Sequence, residues 1–154
     1  MSAKPTAGDV PRFLLDTSAV LTLSGDEPGA GTVEALLIKS RRREADVYLS
    51  FISVMEAGYK AYQVRGEDGL AQLLGYLEEL PVERVDVNDA LIALAARMKG
   101  AYRLSVADAW ILATAKQLNA SLVHKDPEFE QVATAIEQWR LPYKKRARSL
   151  SDKR

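Results

Sequence analysis

The chain has 154 residues, the usual length of one domain, and 47% of them are hydrophobic and spread along the sequence, which excludes a disordered or fibrous protein. Its 21 basic and 21 acidic residues cancel, and it contains no cysteine and one histidine, His124. Disulfides and thiolate zinc sites are excluded, so a bound metal would need mainly oxygen ligands. No apolar run approaches the roughly 18 residues of a membrane span, and no secretory signal follows Met1. We therefore expect a cytoplasmic protein without membrane association.

Two strands and two helices are predicted in the first third of the chain. The apolar run RFLL before Asp16 predicts a buried strand over residues 12–16. A short helix follows over residues 17–23, and a second helix ends at the arginines 41–43, whose charges suit a helix C-terminus. The apolar residues that mark the second helix are Val33, Leu36 and Leu37. The β-rich segment 47–52 is predicted as the second strand.

A pair of helices is predicted between the second and third strands. Two sets of residues share the helical spacing i, i+3, i+4 and i+7, and they are Met55, Gly58, Tyr59, Tyr62 and Leu70, Leu73, Leu74, Leu77. A turn at Gly66–Gly69 separates the two helices, and Pro81 ends the second one.

The last part of the chain again alternates strands and helices. Strands are predicted at 82–87 and 122–123, with a helix stopped by Gly100 and another helix over 105–118 between them. Residues 135–141 fit either a strand or a helix. Since strands separated by helices favour parallel pairing, the sequence predicts an α/β domain with a mostly parallel sheet. Ligands of such sheets bind beyond the carboxyl ends of the strands.

Four acidic residues lie where this arrangement places those carboxyl ends. Asp16 ends the first strand, and Glu56 lies in the first turn of the helix predicted after the second strand. Asp108 lies in the first turn of the last long helix, and Asp126 follows the short strand after it. We therefore expect the four carboxylates at one edge of the sheet.

Each acid also has an ordinary structural explanation, namely capping of a helix. The candidate caps and capping boxes are Asp16, Ser53–Glu56, Ser105–Asp108 and Asp126-Pro127. Capping alone would leave four carboxylates that repel one another at one edge, and protonation or cations must relieve that repulsion. Mg²⁺ and Mn²⁺ prefer oxygen ligands, so a divalent metal is the expected counterion.

The segments around the four acids resemble the four motifs of PIN domains. In chain order they are RFLLDTSAV at 12–20, SVME at 53–56, LSVADA at 104–109 and LVHKDPEF at 122–129. The small stand-alone form of the domain is similar to the VapC toxins of toxin–antitoxin pairs. The resemblance implies a PIN-like α/β domain of three layers over residues 12–142, with a central, mostly parallel sheet flanked by helices.

The resemblance also implies an enzyme, a metal-dependent endoribonuclease. Asp16, Glu56, Asp108 and Asp126 would be its catalytic acids and would hold Mg²⁺ or Mn²⁺. Two hydroxyl residues beside the first acid, Thr17 and Ser18, match the family pattern. They either support a bound water or simply begin the helix.

His124 departs from the family pattern, in which many members carry Ser or Thr two residues before the fourth acid. A lone histidine is most often a packed or surface residue. In the functional alternative it donates a hydrogen bond to a phosphate or supports the metal ligands.

The resemblance implies three partners: an RNA substrate, a cognate antitoxin protein and a second copy of the chain in a homodimer. We expect the antitoxin in a groove between helices near Tyr59 and Leu73, where the alternative is simple core packing. Residues 1–11 are predicted to be a flexible arm, and residues 143–154 a basic flexible tail. That tail either contacts the RNA backbone or is a solvated end.

Other functional classes fit the sequence less well. No Gly-x-Ser-x-Gly motif accompanies His124, which argues against a serine hydrolase. No glycine-rich loop follows a strand in the pattern of nucleotide-binding proteins. Asp16 has no second Asp two residues on, which argues against a phosphatase. The remaining alternative is a non-catalytic binding domain whose acids cap helices and dock a basic peptide.

Overall fold

The computed structural model describes residues 10–144 of the chain. Most of the predicted arm and of the predicted tail therefore lies outside the described residues, and both stay predictions. The helices and strands follow in the order β1 (Arg12–Leu15), α1 (Thr17–Ser24), α2 (Ala30–Arg41), β2 (Asp46–Ser50), α3 (Phe51–Glu79), β3 (Glu83–Val85), α4 (Asp89–Ala101), α5 (Val106–Leu118), β4 (Ser121–His124), a 3₁₀ helix (Pro127–Val132) and β5 (Gln138–Arg140).

The five strands form one parallel sheet in the order β3-β2-β1-β4-β5. The predicted α/β class and parallel sheet are therefore confirmed. Because β1 is central and the chain leaves it first to one side and later to the other, strand order reverses between β1 and β4. In open α/β sheets, the crevice beyond the carboxyl ends at such a reversal is the usual ligand site.

Helices cover both faces of the sheet and make three layers. Side chains alternate along a strand, so Leu15 and Leu14 of β1 point to opposite faces. Leu15 belongs to a buried apolar cluster with residues of α1 and α2, whereas Leu14 belongs to a second cluster with Ile111 and Leu112 of α5. Helix α4 packs on the outer side of α5 through Leu91. Apolar burial on both faces fixes the sheet as the central layer.

Helix α3 begins earlier than the sequence analysis predicted. Ser50 is its N-cap, and the Ser50 hydroxyl accepts a hydrogen bond from the Ile52 N–H. The predicted capping box from Ser53 to Glu56 is therefore wrong, because Ser50 already caps the helix and Glu56 lies in its second turn. Strand β2 correspondingly ends at Ser50, two residues before the predicted end.

Gly66 divides α3 into two helical halves, residues 51–65 and 67–79, as the predicted turn required. Its φ of 61° and ψ of −148° lie in a region that residues with a Cβ atom avoid. The two halves approach closely, since a Cβ atom added to Gly69 would lie 2.6 Å from the carbonyl oxygen of Ala61. The groove described below lies between these two halves.

Smaller differences concern the ends of elements. β3 is shorter than predicted, and α4 continues through Gly100 to Ala101, so the predicted stop at Gly100 is wrong. The ambiguous segment 135–141 contributes β5, which pairs with β4.

Within the described part of the chain, no helix is both long and apolar enough to cross a membrane.

Candidate active site

An open cavity of about 340 Å³ lies beyond the carboxyl ends of β1 and β4, at the reversal of strand order. All four acids expected at this edge line it, and they are Asp16, Glu56, Asp108 and Asp126. They come from four separate stretches of the chain. The topology therefore brings together the residues that the sequence analysis selected.

Asp16 is the most firmly held of the four acids. Its backbone N–H donates to the carbonyl oxygen of Val123, at 2.9 Å, which extends the pairing of β1 with β4. Its carboxylate caps α1 by accepting hydrogen bonds from the Ser18 N–H, at 3.2 Å, and from the Ser18 hydroxyl. Burial raises the pKa of Asp16 to about 6, although the Ser18 hydrogen bonds and the adjacent Thr17 N–H oppose that shift.

Asp108 lies in the first turn of α5, where the Ser105 hydroxyl accepts a hydrogen bond from its N–H at 3.1 Å. Asp108 as a whole residue is 9% exposed. Burial is the main reason that the pKa of Asp108 rises to about 7, and the charges of Asp16, Asp126 and Glu128 raise it further. The carboxylates therefore repel one another as expected.

Asp126 caps the 3₁₀ helix after β4, because its carboxylate accepts the Glu128 N–H at 2.9 Å. Carboxylate oxygens of Asp108, Asp126 and Glu128 all lie within 4.8 Å of one another. Glu128 was missed by the sequence analysis. The signal was present, since an Asp two residues earlier, followed by Pro, forms an Asx turn that brings residue 128 back towards its cap.

Glu56 enters the cavity from α3 and is held by a hydroxyl. The Thr17 hydroxyl donates to Glu56 Oε1 at 2.8 Å, and Thr17 Oγ1 also lies 3.0 Å from Ser53 Oγ. Ser18 makes a similar link on the other side of Asp16, where its Oγ accepts the Lys125 N–H at 2.9 Å. Thr17 thus holds Glu56 of α3, and Ser18 links Asp16 to the backbone of Lys125, the residue before Asp126.

His124 is fully buried and lies outside the residues that line the cavity. Its Nδ1 accepts the Asp126 N–H at 3.1 Å, so the proton of the neutral ring is on Nε2, which lies 2.8 Å from Gln138 Oε1. Burial lowers the pKa of His124 and keeps the ring neutral. His124 is thus a packed residue that also fixes the backbone at Asp126.

Three lysines line the rim of the cavity: Lys60, Lys125 and Lys144. Lys125 Nζ and Lys144 Nζ each lie 3.1 Å from a carboxylate oxygen of Glu27, and both lower the Glu27 pKa. Within residues 10–144, Lys60 has no carboxylate oxygen within 4.0 Å.

Helix capping and carboxylate clustering coexist at this site. Asp16 and Asp126 both cap helices with one part of the carboxylate, yet both line the cavity. The cavity acids offer only oxygen ligands. Burial makes it costly to keep their carboxylates charged. Such a donor set suits a hard divalent cation such as Mg²⁺ or Mn²⁺.

Comparison with protein families matches residues 13–135 to the PIN domain. The chain belongs to the PIN domain family. The resemblance found in the four motifs is therefore confirmed over most of the sequence. No curated protein matches this PIN domain significantly.

Solved structures share the fold of this PIN domain. A chain of VapBC2 from Rickettsia felis, bound to a DNA fragment from their promoter, is 14% identical, with a TM-score of 0.67 over 85% of this chain and 99% of that chain. A chain of DNA-bound VapBC from Salmonella typhimurium is 21% identical, with a TM-score of 0.66 over 85% of this chain and 98% of that chain. VapC20 from Mycobacterium tuberculosis, a sarcin-ricin loop cleaving toxin, gives 16% identity and a TM-score of 0.64 over 83% and 98%.

Proposed function

We propose that this PIN domain is a metal-dependent endoribonuclease and the toxin of a toxin–antitoxin pair. The observation that carries the proposal is the gathering of Asp16, Glu56, Asp108 and Asp126 in one open cavity, with the pKa values of Asp16 and Asp108 raised. A folded protein that keeps such mutually repelling acids together fits one that binds cations there.

The proposal gives a part to each of these residues. Asp108 and Asp126, whose carboxylate oxygens lie within 4.8 Å of each other, would hold Mg²⁺ or Mn²⁺ together with Asp16, which lines the same cavity. Glu56 and Glu128 would bind directly or through water. When bound, such a cation lowers the pKa of water and offsets the negative charge of the reacting phosphate. Attack of water on phosphorus, with cleavage of the P–O3′ bond and transfer of a proton from water to the leaving 3′ oxygen, would leave a 5′-phosphate and a 3′-hydroxyl.

The hydroxyl and imidazole groups around the acids would hold the carboxylates in position. Ser18 and Thr17 orient Asp16 and Glu56 through their hydroxyls. His124 holds the backbone of Asp126 from beneath the cavity. Such partners of ligand residues ordinarily strengthen metal binding by roughly 10- to 100-fold.

An RNA substrate is supported by the fold shared with VapC20, whose described activity is cleavage of the sarcin-ricin loop. The exposed Lys60 adds support, because its ammonium group suits a phosphate backbone. We accordingly propose RNA as the substrate.

An antitoxin partner is supported by an apolar groove of about 410 Å³ between the two halves of α3. Its partly exposed rim includes Met55, Tyr59, Tyr62 and Leu74. Tyr59 was expected there, whereas Leu73 packs against the core and the adjacent Leu74 lines the groove instead. Met55 and Tyr59 line the groove, and the adjacent Glu56 and Lys60 line the acidic cavity, so a peptide in the groove would pass beside the acids. We propose that an antitoxin segment with apolar anchors and a basic side chain binds in this groove. As a separate proposal, the chain forms homodimers.

A cleavage assay on total cellular RNA tests the nuclease proposal. Wild-type protein, Asp16→Asn and the surface control Asp86→Asn would be purified identically and incubated with Mg²⁺, Mn²⁺ or EDTA. The proposal predicts discrete fragments from wild type and the control with metal, and none from Asp16→Asn or with EDTA. Absence of cleavage by folded, metal-bound wild type would favour a non-catalytic domain that docks a basic peptide.

A further inference from the structure

We infer that Tyr143 and Lys60 form a nucleotide subsite on the two sides of the acidic cluster, in which an unpaired base stacks on Tyr143 and a nearby phosphate binds Lys60. This inference rests on the proposed function and deepens it, since it names two residues of this chain that would contact the RNA on either side of the acids. Both residues line the cavity.

The topology places the two residues on opposite sides of the acids. Lys60 belongs to α3, which follows β2, and Tyr143 follows β5. The order β2-β1-β4-β5 puts β1 and β4, whose ends carry Asp16 and Asp126, between them. The ends of β2 and β5, after which the two residues follow, are three strand spacings apart, about 14 Å. An extended strand of a few nucleotides that crosses this edge would contact Lys60, the acids and Tyr143 in turn.

Tyr143 is held in place by the segment before it. Leu141 is buried, and its N–H donates to the carbonyl oxygen of His124 at 2.8 Å. Pro142 packs close to Gly29, where an added Cβ atom would lie 3.1 Å from Pro142 Cδ.

The Tyr143 side chain is itself anchored. Its hydroxyl donates to Glu130 Oε1 at 3.0 Å, and its ring centroid lies 6.4 Å from that of His124. A half-buried ring with a fixed hydroxyl loses little entropy when a base stacks on it. Aromatic side chains beside a nucleic-acid path ordinarily bind bases in this way.

Lys60 is available for an anion. It follows Glu56 by four residues on α3, a spacing at which Glu and Lys ordinarily pair. Within the described residues, however, its Nζ is not within 4.0 Å of any carboxylate, whereas Lys125 and Lys144 share Glu27. Lys60 is exposed and beside the acids, so its charge can contact a phosphate next to the one that reacts.

The chemistry of the two residues selects an unpaired strand. In a duplex both faces of each base are covered by stacking, so Tyr143 could not reach them. A single strand with splayed bases presents a free face to Tyr143 while its backbone passes Lys60. The preference therefore follows from stacking, and the sequence of the strand is not specified by it.

A binding titration tests the subsite. Fluorescein-labelled single-stranded RNA of random sequence, and the same RNA annealed to its complement, would be titrated with full-length wild type in Ca²⁺. The variants are Tyr143→Phe, which keeps the ring, Tyr143→Leu, Lys60→Gln and the control Lys99→Gln on α4. Melting temperature and Mn²⁺ affinity would verify that each variant keeps its fold and its acidic cluster.

The inference predicts distinct signatures for the two residues. Tyr143→Leu should weaken binding of single-stranded RNA by roughly tenfold or more, with Tyr143→Phe close to wild type. Lys60→Gln should lower the slope of log affinity against log salt by about 0.7, whereas Tyr143→Leu and Lys99→Gln should leave that slope unchanged. Duplex RNA should bind more weakly than single-stranded RNA, and its affinity should be the same for wild type and Tyr143→Leu.

The outcomes separate this inference from the proposed function. Wild-type affinity in Tyr143→Leu and Lys60→Gln, beside normal cleavage by wild type in Mn²⁺, would overturn the subsite and leave the nuclease intact. Binding that depends on Tyr143, without cleavage, would support the subsite and overturn the nuclease. Equal affinity for duplex and single-stranded RNA would overturn the stacking of an unpaired base on Tyr143.

Discussion

Replacement of Asp16 by Asn should stabilise the metal-free protein, and the size of the effect follows from its pKa. Burial raises that pKa from 3.8 to about 6. The folded state therefore binds this proton more tightly than the unfolded state, so the favourable contribution is complete below about pH 4 and is lost as pH rises through about 6. A difference of about two pKa units corresponds to about 3 kcal/mol. Above pH 7, wild type carries this cost and Asp16→Asn does not.

Urea denaturation in EDTA at pH 8 and pH 4.5 measures the effect. We expect Asp16→Asn to be more stable than wild type by up to about 3 kcal/mol at pH 8 and by only about 1 kcal/mol at pH 4.5, where the wild-type carboxyl is largely protonated in the folded state. The amide oxygen of Asn still accepts the Ser18 hydrogen bonds, so the cap is kept.

A matched control distinguishes burial from general loss of charge. Asp86 has a 63% exposed side chain and pairs with Arg84 at 2.9 Å. Asp86→Asn should change stability by less than about 0.5 kcal/mol at both pH values. If Asp16→Asn were less stable than wild type at pH 8, the prediction would be wrong. The charged carboxylate would then stabilise the protein as a helix cap by more than its burial destabilises it.

Three further predictions follow from the same structure. Mn²⁺ affinity measured by calorimetry should fall by roughly tenfold per pH unit below about 7, because protons compete with metal for Asp108, whose pKa is raised to about 7; a flat profile between pH 8 and pH 6 would contradict it. His124→Leu should lose about 1–3 kcal/mol of stability and roughly tenfold in Mn²⁺ affinity, because the Asp126 N–H loses its acceptor. His124→Asn keeps an acceptor near Nδ1 and should recover most of the affinity, so equal losses in both variants would count against the positioning role. Gly69→Ala should destabilise the protein because its Cβ atom would lie 2.6 Å from the Ala61 carbonyl oxygen, whereas Gly75→Ala, with nothing within 4 Å, should stabilise it by about 0.5–1 kcal/mol in thermal melts.

The parts of the fold that depend on local patterns could be predicted from the sequence. Apolar runs placed β1 and β4, and the alternation of strands with helices indicated a parallel sheet, which brought Asp16 and Asp126 to one edge. The glycines between the two helical patterns placed the break in α3, because Gly66 can adopt a positive φ.

Other features depend on contacts that the sequence does not show. Ser50 and Ser53 are both good helix caps, and only the pairing of β2 decides that the strand ends at Ser50. Leu73 and Leu74 share the same helical pattern, and the packing of α3 decides which of them lines the groove. The burial of His124 likewise comes from β5 and Gln138, which lie in the segment whose structure was ambiguous.

Calorimetric titration of Mn²⁺ into metal-free protein shows whether the acidic cluster holds a divalent cation, on which the proposed nuclease depends. We expect saturable binding to wild type and to Asp86→Asn, and no binding to a folded Asp16→Asn. Equal binding by Asp16→Asn, or no binding by folded wild type at pH 8, would contradict this expectation and leave the acids as helix caps on a binding domain.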